Sequence, residues 1–377
     1  MVFRLCTALP ILALVACGGG GGGGGGGSSP RVPPAPPAGA PQPGPAPAVV
    51  EPPRQVGPAT LTPQVSGTTA RLQAVSVVNE RIVWASGTGG TFVLTTNGGT
   101  TWLTAKVAEA DSLEFRDIHA VDAKTAYLLS AGPGTKSRIY KTTDGGVNWQ
   151  IQFVNRDPEA FYDCFAFWDR HSGLAFSDNV RGRFPLIKTT DGGLHWDDLT
   201  TAPPATKGEG AFAASGTCVT TLGNRSAWIA TGAGEQSRVL FTPDRGGSWQ
   251  SWIVPAGHGT ATTGLTSIAF RTPRDGIAAG GDVGAADAPA NVIITRDGGV
   301  NWTAGSPPTF PGAVYGVVYI PGGTQVVAVG PKGASWSPDE GRAWQQLDTL
   351  AYWSVGFASR KAGWLVGPGG RITKVSF

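Results

Sequence analysis

The chain has 377 residues, with 29 Lys and Arg against 26 Asp and Glu, so its formal net charge at pH 7 is +3. These charges are scattered along the sequence, which argues against a nucleic-acid-binding surface. Glycine (57 residues) and proline (30 residues) are abundant, and beyond the N-terminal segment no apolar stretch is long enough to span a bilayer.

The N-terminal segment, residues 1–17, has a basic start, an apolar run and small residues at its end, which is typical of a secretory signal peptide. The run Leu14-Val15-Ala16-Cys17 resembles a bacterial lipobox. Cleavage there would leave Cys17 as a lipidated N-terminus; the alternative is an ordinary signal peptide with an incidental cysteine. The lipobox predicts a lipid-anchored protein of the bacterial cell envelope that faces the periplasm or the exterior.

Residues 18–58 predict a tether rather than a folded unit. Ten consecutive glycines occupy residues 18–27, and residues 30–58 are rich in Pro and Ala. Such a composition has too few apolar side chains to build a core and favours flexible or extended chain. We expect this segment to hold a folded domain, residues 59–377, away from the membrane.

A short motif recurs six times in that domain, at steps of 42 to 53 residues. It follows the template Thr/Ser-x-Asp/Asn-x-Gly-x-x-Trp. Its acid or amide positions are Asn97, Asp144, Asp191, Asp244, Asp297 and Asp339. Self-similarity at this period is typical of a β-propeller.

The motif predicts a hairpin turn. The carboxylate can accept hydrogen bonds from backbone N–H groups one to three residues on, and the hydroxyl two positions earlier can join them. The glycine two positions after the acid permits a positive φ. The Trp five positions after it offers a large apolar face for packing between sheets. We therefore interpret the six acid and amide residues as structural.

The segments between the turns predict four short strands per repeat. In the second repeat these are residues 115–121, 125–131, 137–143 and 149–153. First strands are expected at 72–78, 115–121, 161–168, 210–217, 265–270, 314–320 and 353–359. The seventh repeat has no fourth strand, and an open sheet edge favours aggregation. The sequence thus predicts an all-β, seven-bladed propeller of four-stranded antiparallel blades, with the last blade closed by a strand within residues 59–67.

Two cysteines remain in the domain, Cys164 and Cys218, at near-equivalent positions of adjacent first strands. The extracytoplasmic setting permits a disulfide between them, and two buried free thiols are the alternative. The sequence has no CxxC, HExxH or paired-His spacing, and no glycine-rich phosphate loop, so we predict neither a metal site nor a cofactor.

Propellers usually bind their ligands at a mouth of the central channel, where the loops that lead into the first strands converge. Those loops contain an arginine, carboxylates and aromatic residues that could form a pocket. The candidate binding residues are Arg116, Asp117, Tyr162, Asp163, Glu209, Tyr315 and Trp353, with Thr266 and Tyr352 at equivalent positions.

The motif resembles the Asp-box, or BNR repeat, of sialidase-like propellers. Residues 68–377 resemble the photosystem II stability/assembly factor family, in particular its bacterial relatives outside photosynthesis. Three runs carry this resemblance: residues 115–146, 161–184 and 208–219. It implies a non-enzymatic, membrane-tethered propeller that binds a protein partner of the cell envelope and acts as an assembly or stability factor. We expect a monomer.

The alternative is a glycoside hydrolase of the sialidase type, acting on a glycan at the channel mouth. That chemistry needs three arginines, a Tyr–Glu nucleophile and an Asp acid/base. Arg116 and Arg271 could supply two of the arginines, and Tyr162 or Tyr315 beside Glu209 the nucleophile. A glycosidase that uses two carboxylates would use Asp163 and Glu209. A redox enzyme is least favoured because no cofactor motif is present.

Overall fold

The computed structural model describes residues 59–377. The predicted signal peptide, Cys17 and the tether lie outside the described residues. Twenty-eight strands form seven four-stranded antiparallel sheets, and these are the blades of a seven-bladed propeller. The all-β, seven-bladed prediction is therefore confirmed. Within the described residues, no helix has the length and apolar character needed to cross a membrane.

The strands are numbered in chain order. Blade 1 contains β2 (Leu72–Val77), β3 (Val83–Gly87), β4 (Thr91–Thr95) and β5 (Leu103–Lys106); blade 2 contains β6 (Phe115–Ala120), β7 (Ala126–Ser130), β8 (Arg138–Thr142) and β9 (Gln150–Val154). Blade 3 contains β10 (Tyr162–Phe167), β11 (Gly173–Ser177), β12 (Leu186–Thr189) and β13 (Asp197–Asp198); blade 4 contains β14 (Val219–Leu222), β15 (Ser226–Ala230), β16 (Arg238–Thr242) and β17 (Gln250–Ile253).

Blade 5 contains β18 (Thr263–Phe270), β19 (Gly276–Asp282), β20 (Asn291–Thr295) and β21 (Thr303–Ala304); blade 6 contains β22 (Gly316–Tyr319), β23 (Val326–Gly330), β24 (Gly333–Ser337) and β25 (Gln345–Asp348). Blade 7 contains β26 (Ser354–Ser359), β27 (Ala362–Val366), β28 (Ile372–Ser376) and β1 (Thr60–Gln64). Two short 3₁₀ helices span Gly134–Lys136 and Pro368–Gly370.

Burial falls from the middle of each blade to its outer edge. In blade 1, every residue of β3 and β4 is buried, whereas the outer strand β5 has two exposed and two half-buried residues. Middle strands have neighbouring blades on both faces, so an apolar residue at every position lowers the free energy of folding. This explains continuous apolar strands such as AYLLS in β7.

The first and last strands of the chain close the ring. β1 pairs antiparallel with β28, from Thr60 opposite Ser376 to Gln64 opposite Ile372. Gln64 strengthens the closure, because its Oε1 accepts hydrogen bonds from Trp102 Nε1 and Trp364 Nε1, both at 3.2 Å. The prediction that a strand within residues 59–67 completes the last blade is confirmed.

The six repeated turns share one hydrogen-bond pattern. In the second turn, Thr142 Oγ1 donates to Asp144 Oδ1 (2.8 Å) and accepts from the Gly146 N–H (3.0 Å). Asp144 Oδ1 also accepts from the N–H of Asn148, at 2.9 Å and four residues on, and the N–H of Val147, three residues on, contributes a further hydrogen bond to this carboxylate. The six glycines have φ between 82° and 101°, which a side chain would penalise.

The tryptophan that ends each motif packs between blades. Trp149, which precedes β9, contacts Phe92 and Trp84 of blade 1 in edge-to-face geometry, with ring centroids 5.2 and 6.2 Å apart. Trp302 of blade 5 meets Phe270 of its own blade edge to face, and both lie in a core that also contains Trp228 and Val239 of blade 4. Each turn therefore fixes both a hairpin and an interface between two sheets.

The predicted first strand of blade 4, residues 210–217, is wrong: the inner strand is β14, which begins at Val219. Residues 210–217, here called the crossing segment, run instead through the central channel. Ser215 Oγ donates to the Tyr315 carbonyl of blade 6 (2.6 Å), and its own carbonyl accepts from Ser354 Oγ of blade 7 (3.3 Å). Gly210 still pairs with Gly232 of its own blade in an antiparallel bridge, but the polar groups of Ser215 bond to distant blades, so residues 210–217 do not form the inner strand.

A disulfide joins Cys164 of β10 to Cys218, the residue that follows the crossing segment, with the Cα atoms 6.0 Å apart. Both cysteines are fully buried. The bond fixes the C-terminal end of the crossing segment to blade 3, so the channel filling is held covalently as well as by hydrogen bonds.

Candidate functional site

The crossing segment divides the central channel into two mouths. The front mouth lies at the end where the inner strands begin, and it opens into a cavity of about 490 Å³. Arg116, Asp163, Asp178, Phe212 and Ala213 are among the residues that line it. The back mouth, lined by residues such as His119 and Thr221, is smaller, at about 200 Å³.

Five side chains form what we call the Arg–aromatic cluster at the front mouth: Arg71, Glu114, Arg116, Tyr315 and Trp353. Glu114 Oε2 accepts from Arg116 Nε (3.0 Å) and Nη2 (2.8 Å), and Glu114 Oε1 lies 3.5 Å from Arg71 Nη2. The Arg71 guanidinium lies over the Trp353 ring, 4.7 Å from its centroid. Trp353 in turn meets Tyr315 edge to face at 4.8 Å.

The cluster is half-buried and carries a net positive charge. Side-chain exposure is 37% for Arg71, 34% for Glu114 and 32% for Arg116. Two guanidinium groups and one carboxylate give a formal charge of +1. Burial alone would raise the pKa of Glu114, but the hydrogen bonds and charge of Arg116 outweigh it and leave that pKa below its usual value. Glu114 is therefore ionised at neutral pH.

Two carboxyl groups, here called the carboxyl pair, lie in the cavity beside this cluster. Asp163 is the second residue of β10 and Asp178 follows β11, and a side-chain hydrogen bond joins them. Burial, followed by the charge of Asp178, raises the pKa of Asp163 well above its usual value, although Arg116 opposes the change. Burial also raises the pKa of Asp178, to about 6.

Glu209 reaches the cavity with its backbone, whereas its carboxylate points to blade 4. Oε1 accepts from Arg238 Nε (2.8 Å) and Thr231 Oγ1 (2.6 Å), and Oε2 accepts from Arg238 Nη2 (2.6 Å) and the Thr206 N–H (2.8 Å). Burial alone would raise the pKa of Glu209, but these bonds outweigh it and lower that pKa. The carboxylate is thus a buried, ionised tie between the crossing segment and β16.

The other predicted site residues lie away from the front mouth. Asp117 is buried against Gly216 and accepts the N–H groups of Ile118 and Phe165 (2.7 and 2.8 Å), and burial raises its pKa well above the usual value. Tyr162 lines a separate cavity of about 1000 Å³ between blades 2 and 3. Thr266 and Tyr352 are buried and hydrogen-bonded locally, to the Val314 carbonyl and to Asp348.

The arginines proposed for a sialidase-type clamp do not meet. Arg116 is at the start of an inner strand, whereas Arg271 follows the end of β18, at the opposite end of the channel. There Arg271 is paired with Asp275 and Glu340. Among residues 59–377, no group of three or more His, Cys, Asp or Glu side chains is arranged to hold a metal ion.

The sequence predicts that Arg116, Asp163, Tyr315 and Trp353 lie at one mouth of the channel, as they do, but it does not predict the residues that they contact there. Arg71, Glu114 and Asp178 immediately precede or follow the strands β2, β6 and β11. Equivalent positions in the repeats could have identified them, because every inner strand begins and every second strand ends at the same mouth. No local sequence pattern indicates the ion pair between Arg238 and Glu209, since the two residues are 29 positions apart.

No family model and no curated protein sequence matches the chain. The fold is similar to solved structures of YCF48, a photosystem II assembly factor. A structure described as YCF48 bound to D1 peptide has a TM-score of 0.58 and 17% identity, covering 86% of this chain and 98% of that one. YCF48 from Cyanidioschyzon merolae has a TM-score of 0.54 and 16% identity, covering 84% and 98%. At these identities the similarity establishes the seven-bladed fold, as the sequence resemblance predicted.

Proposed function

We propose that this protein is a binding module of the bacterial cell envelope that holds an extended segment of a partner polypeptide at the front mouth. The observation that carries the proposal is the Arg–aromatic cluster above a channel filled by the crossing segment. In the proposed setting, Cys17 carries the lipid anchor and residues 18–58 connect it to the propeller. Binding would assist the assembly or stability of the partner.

The composition of the cluster fits a protein-binding hot spot. Arginine, tyrosine and tryptophan are the residues that contribute most to binding energy at interfaces, especially when they are partly desolvated. Arg71 stacks on Trp353 and Trp353 packs on Tyr315, so these side chains are already ordered. Pre-ordered side chains lose less entropy on binding, which favours affinity.

The structural similarity supports a polypeptide ligand. The YCF48 structure with the TM-score of 0.58 is described as bound to a D1 peptide, so this fold presents a surface that accepts peptide chains. From this similarity we infer only that the partner is a polypeptide. The lipobox favours a protein of the cell envelope as the partner.

The state of Glu209 argues against the two-carboxylate glycosidase. A general acid or a nucleophile must reach its substrate. The side chain of Glu209 has no exposed surface, and both of its oxygens accept hydrogen bonds from Arg238. Ionisation and position together make this carboxylate a structural group.

Photo-crosslinking in the native envelope tests the proposal. A photoreactive phenylalanine analogue is placed at Tyr315, in the cluster, or at Ile253, which is 64% exposed on the outer strand of blade 4. We expect position 315 to capture a defined polypeptide and position 253 to capture none. Arg71→Ala and Trp353→Ala should each reduce capture from position 315 at least ten-fold, whereas Lys124→Ala, an exposed cation in the turn after β6, should leave it unchanged.

A glycan captured at position 315, together with hydrolysis of that glycan, would overturn the proposal in favour of the hydrolase. Equal capture from positions 315 and 253 would show that the mouth is not the binding site. For the anchor, Cys17→Ser should move the protein from the membrane fraction to the soluble fraction. Retention of this variant in the membrane would contradict lipidation at Cys17.

A further inference from the structure

The carboxyl pair is not explained by the fold or by the Arg–aromatic cluster. Asp163 is 1% exposed, and its Oδ2 accepts no hydrogen bond from any N–H or O–H donor among the described residues. Asp178 Oδ1 accepts the Ala211 N–H at 2.8 Å, and the backbone N–H of Ala213 lowers the pKa of Asp163 slightly against the effect of burial. The pair therefore has a backbone donor at Asp178 Oδ1, whereas Asp163 Oδ2 has no partner among the described residues other than the carboxyl group of Asp178.

Among residues 59–377, no Lys or Arg side chain forms a salt bridge with Asp163 or Asp178. The charge of Arg116 acts on Asp163, but the hydrogen-bond donors of Arg116 are directed to Glu114 and to the Ala213 carbonyl (3.4 Å). Glu209, on the other side of the cavity, is already paired with Arg238. Two buried carboxylates in contact cannot both stay ionised without a compensating positive charge. In the free protein, the hydrogen bond between them requires a shared proton.

The cavity leads directly to the pair. Its volume of about 490 Å³ lies within the ~300–1,000 Å³ typical of ligand pockets. Its lining combines the rings of Phe161 and Phe212 and the short side chains of Ala211 and Ala233 with polar residues, among them Arg116 and Asn179. Apolar wall surface beside two carboxyl groups fits an aliphatic stem that ends in a cation, as in a lysine or arginine side chain.

We propose that the carboxyl pair is the receptor for a cationic side chain, lysine or arginine, that the bound polypeptide inserts through the front mouth. The proposal rests on the proposed function and adds to it the sequence preference of the partner. The ammonium or guanidinium group donates to the carboxylates of Asp163 and Asp178, and it takes the place of the shared proton, which leaves to water. The Arg–aromatic cluster then contacts the flanking residues of the polypeptide.

The test uses small probes that do not depend on the partner. N-acetyl-lysine methylamide and N-acetyl-arginine methylamide are titrated into the protein, with the uncharged N-acetyl-norleucine methylamide as the isosteric control. Backbone amide NMR signals of Asp178, Ala211 and Ala213 report binding at the pair. We expect the cationic probes to shift these signals and the norleucine probe to have no effect.

Variants separate the pair from other acidic groups. Asp163→Asn and Asp178→Asn should each weaken binding of the cationic probes at least ten-fold, because an amide offers no negative charge. Asp197→Asn removes an exposed carboxylate from the outer strand of the same blade and should change nothing. Lowering the pH below about 6, where the pair keeps its proton, should weaken binding to the unmodified protein. Gly210→Ala should also weaken binding of the cationic probes, because a Cβ there would lie 2.1 Å from Asp178 Oδ1 and would displace that carboxyl group.

Equal binding of the norleucine probe, or full binding of the cationic probes by both Asn variants, would overturn the inference, as would the absence of binding to the unmodified protein. These results are distinct from failure of the proposed function. If position 315 still captures a polypeptide and Asp163→Asn leaves that capture unchanged, the front mouth binds protein, but the carboxyl pair does not bind a cationic side chain of that protein.

Discussion

At the scale of single residues, the repeated turns depend on a hydroxyl that works in two directions. Thr295 Oγ1 donates to Asp297 Oδ1 (2.9 Å) and accepts from the Gly299 N–H (3.0 Å). The residue is 1% exposed, so water cannot replace either bond. The last turn uses Ser337 for the same two bonds, at 2.8 Å each, which shows that the hydroxyl and not the methyl group is required.

Thr295→Val should therefore destabilise the protein although it preserves the side-chain shape. It leaves the buried Gly299 N–H without an acceptor, which costs about 1–3 kcal/mol in the free energy of unfolding. Thr295→Ser is the matched control and should lose less than half of that amount. Urea unfolding followed by tryptophan fluorescence measures both variants. Equal stability of the Val variant and the unmodified protein would contradict the role given to the hydroxyl.

The carboxyl pair predicts an unusual dependence of stability on pH. Burial raises the folded-state pKa of Asp178 to about 6, above the ~3.9 expected for an unfolded Asp. A raised pKa means that the folded state binds the proton more tightly, so this stabilisation is complete below pH ~4 and is lost as the pH rises through about 6. The turn residue Asp191 acts in the opposite direction and at lower pH, because its pKa is lowered to about 2, chiefly by its hydrogen bond from the His195 N–H.

Urea unfolding at about pH 5 and about pH 7 measures this effect. The unmodified protein should be more stable at the lower pH, relative to Asp178→Asn measured at the same two values. Contributions that are common to the two proteins cancel in this comparison. A pH dependence that is identical in the two proteins would show that Asp178 does not hold a raised pKa.

At the scale of elements, local sequence determines the closing strand, whereas long-range contacts determine the crossing segment. The turns and β1 could be predicted because their chemistry is local: Thr, Asp and Gly at fixed spacing, and a last blade that lacks one strand. The crossing segment could not. Its Phe, Ala and Ser residues have the composition of a strand, and only contacts with Tyr315 and Ser354, 100 and 139 residues away from Ser215, determine its course.

The same distinction applies to the site. Arg116, Asp163, Tyr315 and Trp353 were found because all lie at the start of inner strands, where the topology fixes their side of the ring. The direction in which a side chain points could not be predicted from the sequence. Glu209 turns to Arg238 because a buried carboxylate needs a partner, and that partner lies on a different strand.

The closing strand should be required for a stable ring. Deletion of residues 59–64 from the full chain removes β1 and exposes the edge of β28. Unpaired N–H and C=O groups at such an edge favour association with other chains. We expect a lower melting temperature and concentration-dependent association in light scattering. Deletion of residues 53–58, of the same length and directly upstream, should leave both unchanged; equal behaviour of the two deletions would contradict the closure.

The disulfide should stabilise the crossing segment and the blades on either side. Cys164 and Cys218 are 54 residues apart, and a loop of that size makes a cross-link worth about 2–4 kcal/mol by restricting the unfolded chain. The variant with both cysteines replaced by Ala should lose that amount in urea unfolding. A reducing agent should destabilise the unmodified protein and leave the variant unaffected. Insensitivity of the unmodified protein to full reduction would contradict this role.

At the scale of the whole molecule, the residues that stabilise the propeller lie apart from those that we propose to bind the partner. The outer turns and their tryptophans hold neighbouring blades together, and the exposed turn side chains point away from the channel. The front mouth collects residues from blades 1, 2, 3, 6 and 7 around the crossing segment. A partner that binds there contacts most of the ring at once, so binding should stabilise the folded protein by mass action.

Hydrogen–deuterium exchange of the protein with and without the polypeptide captured at position 315 tests the central claim most directly. We predict slower exchange for the backbone amides around Arg71, Glu114, Ala213, Tyr315 and Trp353, with little change in the outer strands β5, β9 and β17. Protection confined to the outer strands, with unchanged exchange at the front mouth, would contradict the account.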